Sequence, residues 1–220
     1  MTRTLDSLKW RYATKQFDTN KLLSVEKMDL IKEAFNLTAT SYGLQPVKLL
    51  ILSDKDLQQD LVKHTMNQVQ LAQASHVLVF CIQLNIDKDY IMQYFKRIKE
   101  VRDTNDAILT PFKNFLIDDF EGQSQLEIEN WATKQAYLIM GNLLTVCAIE
   151  GIDACPMEGF SPEKYDEILK LKAQNLKSVL VMPIGYRAAD DMFANLKKVR
   201  KALDKSIIEL YMSNTNEGDA

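Results

Sequence analysis

Positively charged side chains gather in two short tracts near opposite ends of the 220-residue chain. The first, Lys9-Trp10-Arg11-Tyr12-Ala13-Thr14-Lys15, runs into Gln16-Phe17-Asp18. The second, Asn195-Leu196-Lys197-Lys198-Val199-Arg200-Lys201, puts four cations into five residues. Arginine and lysine interleaved with apolar residues offer a planar donor fork and point charges, the set that a phosphate monoester takes. A solvated basic face accounts equally for either tract taken alone. A third segment, Ala154-Cys155-Pro156-Met157-Glu158-Gly159-Phe160, sets proline and glycine around two ordinary residues. It reads either as a simple turn or as a place where the backbone approaches a flat ligand and aims an N–H at a ring atom.

Other chemistries find little support. His64 and His76 are not spaced as metal ligands, and Cys81, Cys147 and Cys155 lie far apart. That excludes a zinc ribbon or finger and disfavours a disulfide framework. The chain has no G-x-S-x-G, no Walker-type phosphate loop and no G-x-G-x-x-G after a strand. With no evident nucleophile, any catalysis is expected to come from a cofactor. The formal charge, 27 − 30 = −3, gives no global field for a nucleic acid or membrane surface. The N-terminus does not read as a signal peptide, and the longest nearly apolar stretch, 136–149, is too short to span a bilayer. A soluble, cytoplasmic protein is the expectation.

The elements that must position these residues follow from capping and periodicity. Ser24, with Glu26 in the first turn, starts a helix whose stripe is Ile31, Ala34 and Phe35. Residues 47–52 (VKLLIL), 77–84 (VLVFCIQL) and 178–185 (SVLVMPIG) read as buried strands, with Pro183 expected to end the third. Residues 54–63 form a short helix between the first two strands. Ser161-Pro162-Glu163 opens another, with a hydroxyl cap, proline at the first position and an acid near the positive dipole end. Residues 87–102 carry Ile91, Phe95 and Ile98 at helical spacing, as an amphipathic surface helix does. Residues 110–120 (TPFKNFLIDDF) continue as an irregular, aromatic-rich excursion. Residues 131–150 are apolar on nearly every side, so their helix must be covered all round, most simply by a second subunit. The segment 206–211 (SIIELY) is strand-like. Strands separated by helices imply a layered α/β or α+β domain.

Five ordered pieces together resemble the FMN-dependent nitroreductase family, close to oxygen-insensitive NAD(P)H nitroreductases and dihydropteridine reductases. They are R-Y-A-T-K-Q-F-D (11–18), Q-P (45–46), N-Q-V-Q-L-A-Q-A-S-H-V-L-V-F-C (67–81), P-M-E-G-F (156–160) and L-K-K-V-R (196–200). Trp131-Ala132-Thr133-Lys134-Gln135 fits the same frame. The resemblance implies an α+β fold, a central mainly antiparallel sheet flanked by helices in three layers, and an interlocked homodimer. It implies one domain over 1–220, with a helical excursion at about 87–130 and a C-terminal extension at about 204–220.

It also implies FMN at the subunit interface and NADH or NADPH as reductant. Hydride would enter at flavin N5 and leave, in alternating half-reactions, to a nitroaromatic, quinone or pterin-like small molecule. Carried over position by position, Arg11, Lys198 and Arg200 hold the phosphate, with backbone contacts from Tyr12 and Ala13. Lys15 lies near the N1/O2 edge, and Asn67 and Gln70 lie on the pyrimidine side. Pro156, Met157, Glu158 and Gly159 form the turn that aims the Glu158 N–H at N5, and Thr40 and Ser41 come from the partner subunit. Gln135, Phe112 and Phe115 are candidate substrate-facing residues, although both phenylalanines read equally well as packing aromatics. No side chain is assigned as a proton donor or nucleophile, and no metal is expected. The pattern is broken by Ala13 in place of serine, Gln70 in place of lysine, and Gly43 and Val47 in place of the Asn and Trp of N-x-Q-P-W. Alternatives are a flavin-binding sensor or carrier without turnover, and dehalogenase or flavin-destroying chemistry within the same family.

Overall fold

The computed structural model describes residues 2–210. Four strands form one antiparallel sheet in the order β1-β2-β4-β3. They are β1 (Val47–Leu52), β2 (His76–Gln83), β3 (Asp153–Ala154) and β4 (Leu176–Gly185). Side chains alternate across a strand, and here both faces are apolar. In β2, Leu78, Phe80 and Ile82 enter one core while Val77, Val79 and Cys81 enter the other. The larger core is closed by α2 (Val25–Leu37), α5 (Lys88–Arg102), α6 (Asp106–Glu121) and α7 (Gln125–Ile149). The smaller one is closed by α3 (Lys55–Val62), α4 (Gln70–Gln73) and α8 (Pro162–Ile168). Helices cover both faces, so the α+β three-layer expectation holds.

Caps act where the sequence put them for α2, α3 and α5: Ser24, Asp54 and Asp87 each accept a backbone N–H of the first turn. Ile91 and Phe95 of α5 are buried, as its periodicity required. The long helix starts earlier than expected, because Ser124 and Glu127 form a reciprocal capping box. Its 25 residues span about 38 Å at 1.5 Å each. One face is buried through Ala132, Ala136, Ile139, Leu143 and Cys147, while Lys134, Tyr137, Leu138, Gly141 and Asn142 are exposed. Its C-terminal carbonyls receive cations: Arg3 of α1 (Arg3–Trp10) donates to the Ile149 oxygen at 3.3 Å, and Lys27 to that of Glu150. These contacts dock α1, and with it Arg11, on the body of the protein.

Four expectations are corrected. Pro183 does not end β4, which continues to Gly185. Its carbonyl still accepts from Cys155 N–H at 3.0 Å, and its missing donor falls on the side where β3 has already ended, so the β2 ladder survives. Residues 110–120 are regular helix, lying within α6. Asn105 caps that helix, and Pro111, its sixth residue, removes the one ladder bond that would reach the Ala107 carbonyl without ending the helix. Ser161 precedes α8 but makes no side-chain cap; its hydroxyl donates to the Glu163 carboxylate at 3.3 Å instead. Residues 206–210 form no strand, because no neighbouring strand meets them and they stay exposed. Tyr211 and the rest of the C-terminal extension lie outside the described residues.

Candidate functional site

The segment after α1 is laid along the sheet's β3 end. Ala13 bridges Ala154, Thr14 N–H donates to the Ala154 carbonyl at 3.3 Å, and Asp18 N–H donates to that of Tyr186 at 2.8 Å. The chain leaving β4 runs back along the same segment, with Phe17 bridging Arg187 and Ala188 N–H donating to the Gln16 carbonyl at 2.9 Å. The two basic tracts, remote in sequence, thereby become neighbours.

Together they enclose a cavity of about 340 Å³. Arg11, Lys15, Lys197, Lys198 and Arg200 supply its cations, and Tyr12, Ala13, Phe193 and Leu196 supply the rest of the wall. The charges feel one another. Burial, then Arg200, holds the Arg11 guanidinium below its usual range. Lys198 is lowered by burial, then by Arg11, Arg200 and Arg187. A dianion bound among them relieves that repulsion, so the donor set fits a phosphate monoester.

Two side chains that sequence reasoning did not single out organise this cavity. Asp191 is 3% exposed. Its Oδ2 accepts from the Tyr12 hydroxyl at 2.6 Å and from the N–H groups of Lys15 and Gln16 at 2.9 and 3.0 Å, while Oδ1 accepts from Phe193 N–H at 3.0 Å. Arg187 lies over the rings of Trp10 and Tyr12, 4.1 and 4.6 Å from their centroids. Its Nε donates to buried Asp153 at 2.7 Å, and its N–H donates to the other oxygen of that carboxylate at 2.9 Å. Asp191 has no motif around it, since its partners lie more than 170 positions upstream. The only local signal is an acid two residues before Phe193, able to cap the short turn there.

Close to Lys15 lies buried Cys155, which feels the charges of Lys15, Arg11 and Asp191 and is hydrogen-bonded by buried Gln70. Burial raises the Cys155 thiol, so it is not a nucleophile. Gln70 donates to Gln68 Oε1 at 3.2 Å, and Gln68 donates to the Gly159 carbonyl at 3.3 Å. Met66 and Asn67 are both left-handed, at φ 51° and 55°. They press the 66–68 turn so close that a Cβ on Gly159 would lie 2.8 Å from Met66 Sδ. Met157 is paired with Val181 through both its N–H and its carbonyl. Pro156 and Glu158 edge a second hollow of about 460 Å³, where the Glu158 carboxylate accepts from the Tyr137 hydroxyl. Gln70 is thereby linked through Gln68 to the 156–159 turn, while the hollow beside Pro156 and Glu158 shares no lining residue with the cationic cavity.

The remaining candidates form a second cluster, and none of them lines the cavity around Arg11. Thr40 and Ser41 open a loop in which Tyr42, Gly43 and Gln45 are all left-handed. Thr40 Oγ1 accepts from Gln45 N–H at 3.1 Å. Gln135 anchors that loop: its Oε1 accepts from Ser41 N–H at 2.9 Å, and its Nε2 donates to the Trp131 carbonyl at 3.2 Å. Phe112 and Phe115 stack at 6.2 Å on α6, and both are substantially exposed. Tyr42 meets Phe112 edge-on, which ties the loop to the excursion.

Comparison with known proteins agrees with this geometry. A model of the Nitroreductase family matches residues 8–186. The oxygen-insensitive NAD(P)H nitroreductase of Salmonella typhimurium is 31% identical over 212 residues, 91% of this chain and 96% of that one. A candidate NAD(P)H nitroreductase of Staphylococcus aureus is 32% identical over 194 residues, covering 84% and 87%. Among solved structures, a candidate nitroreductase from Exiguobacterium sibiricum, in complex with FMN, superposes with a TM-score of 0.80 over 96% of this chain and 98% of its own. At 20% identity that likeness concerns the fold. The chain described here belongs to the nitroreductase family.

Proposed function

We propose that this protein is an FMN-dependent oxidoreductase. It takes hydride from NADH or NADPH and passes it, by alternating half-reactions, to a nitroaromatic, quinone or pterin-like acceptor. The observation that carries the reading is the convergence of Arg11, Lys15, Lys198 and Arg200 on one cavity, with Cys155, the residue before the 156–159 turn, near enough to feel the charges of Lys15 and Arg11. Relatives named as NAD(P)H nitroreductases support the reductant.

When bound, the flavin supplies the hydride-accepting and hydride-donating chemistry. Arg11, Lys198 and Arg200 anchor the phosphate by charge-assisted hydrogen bonds. Lys15 places positive charge where negative charge develops on the reduced ring, and so favours two-electron reduction. Asn67 and Gln70 hold the pyrimidine edge, and the Glu158 N–H serves the position through which hydride passes. The exposed stripe on α7, including Tyr137 and Leu138, is covered by a second copy of the chain. That copy contributes its own Thr40 and Ser41 to the site. Phe112 and Phe115 form part of the acceptor-facing wall.

The test is anaerobic reduction. Purified protein loaded with FMN is mixed with NADH or NADPH in a stopped-flow spectrometer, and the yellow absorbance is expected to bleach and return on adding a quinone. A flavin that binds and stays yellow with both nicotinamides overturns the proposal and leaves a carrier or sensor.

A further inference from the structure

Between Asp191 and Arg200 the chain has almost no hold on the rest of the protein. Of residues 192–200 only Ala194 is even partly buried, and Lys198 reaches the Lys9 carbonyl only through its flexible side chain. Upstream, by contrast, residues 185–188 are fixed by β4, the Asp153–Arg187 pair and the backbone bond from Ala188 to Gln16. Asp191 is thus the last buried tether before the cavity's C-terminal cations, Lys197, Lys198 and Arg200. It is bonded on one side to Tyr12, Lys15 and Gln16, and on the other to Phe193. A carboxylate is the one side chain that accepts on both oxygens at once; an amide of the same shape turns a donor toward one of those sets.

We infer that Asp191 is a positioning residue for phosphate recognition: it suspends Lys198 and Arg200 opposite Arg11, so that the protein distinguishes a flavin bearing a phosphate from one without. This rests on the flavin reading above. It reaches further in assigning the discrimination to a residue that lies behind the cations and carries the charge opposite to theirs. Of the ring-facing groups only Lys15 meets Asp191, through its backbone N–H, and it has other holds. Lys15 keeps the flanking Ala13–Ala154 and Phe17–Arg187 bridges, and the 156–159 turn is fixed by β4. Loss of Asp191 is therefore selective, weakening the grip on phosphate and sparing the grip on the ring.

The experiment compares FMN with riboflavin, which has the same ring and no phosphate. Both are titrated by fluorescence quenching into wild type, Asp191→Asn and Tyr12→Phe, with apoprotein melting recorded for each. The wild type is expected to prefer FMN. Asp191→Asn is expected to reduce that preference about 10- to 100-fold, the range for losing hydrogen bonds to a charged group, with riboflavin affinity held within about threefold. Tyr12→Phe removes one of the four donors and is expected to reduce the preference about 3- to 10-fold. It decides the matter if Asp191→Asn does not fold. An unchanged FMN-to-riboflavin ratio in the folded variants overturns the inference, even if their melting temperatures fall, because a purely structural carboxylate behaves in that way. If the wild type binds neither flavin, the functional proposal falls with it; if the wild type prefers FMN and the variants do so equally, only this inference falls.

Discussion

Gly43 stands where the family pattern has asparagine, and the structure gives the departure a physical cause that can be measured. The residue sits at φ +72°, and a Cβ built on it would lie 2.3 Å from the Tyr94 hydroxyl oxygen and 3.1 Å from the ring carbon that bears it. Gly43→Ala therefore meets two penalties. A left-handed backbone costs an L-residue about 1–2 kcal/mol, and forcing an atom into occupied space costs about 1–3 kcal/mol. Tyr94 does not swing freely, since it is packed into the larger core and its ring meets Phe95 edge-on at 5.5 Å. The sum is about 3 kcal/mol of destabilisation in the wild-type background. Tyr94→Phe deletes only the colliding oxygen, and in that background Gly43→Ala should cost about 1–2 kcal/mol, the backbone part alone. Urea unfolding of the four proteins, at one protein concentration, gives the coupling directly as about 1–2 kcal/mol. Equal costs of Gly43→Ala with and without the Tyr94 hydroxyl, within about 0.5 kcal/mol, would refute the claim that this oxygen fills the missing side chain's place.

Three further outcomes follow from named groups. Lys15→Gln should lower the two-electron potential of bound flavin by roughly 20–60 mV, equivalent to about 1–3 kcal/mol of lost charge stabilisation at a partly buried site; equilibration against redox dyes reads it. The Tyr90 phenol donates to the Leu44 and Gln45 carbonyls at 2.8 and 3.1 Å, and burial pushes it up to about 12. A raised folded pKa gives stability that is complete below the unfolded value and lost as pH climbs through the folded one. The urea midpoint should accordingly fall between about pH 10 and 12, and fall less steeply in Tyr90→Phe. All three cysteines are free and buried, with Cys81 and Cys147 pushed up to about 12 by burial; iodoacetamide should leave the native protein unlabelled at pH 8 and modify all three thiols in guanidinium, as mass spectrometry will show.

What could be read in the sequence was what neighbouring residues decide. Ser24 announced its helix because a cap and its target lie within three residues, and 87–102 announced itself by the spacing of Ile91 and Phe95. The apolar runs of β1, β2 and β4 announced buried strands because they are apolar on both faces. Failures came where a local signal was read without its surroundings. Pro183 looked like a strand end, yet the lost N–H falls where β3 has already stopped. Pro111 and the phenylalanines at 112, 115 and 120 looked irregular, yet Phe112 and Phe120 interlock with Phe95, Tyr42 and Trp131 and stabilise a regular helix. SIIELY has strand composition, but a strand needs a partner, and residues 206–210 meet none among the described residues.

The site divides along the same line. Its cations were visible because each sits in a dense basic tract, and the family pattern then said which ones belong together. The groups that bring them together were not visible. Asp191 and Arg187 act on residues far upstream, and each looks like an ordinary surface charge in its own segment. Their burial also inverts the simple reading of the cavity as a collection of positive charges. A cluster of Arg11, Lys198 and Arg200 repels itself, and an isolated set of this kind would drift apart on an exposed tail. It stays assembled because a buried carboxylate spends its charge on the Tyr12 hydroxyl and on backbone N–H groups instead of neutralising the cations. The cavity can then be both well ordered and strongly positive, a combination that direct ion pairing between Asp191 and the cations would have prevented.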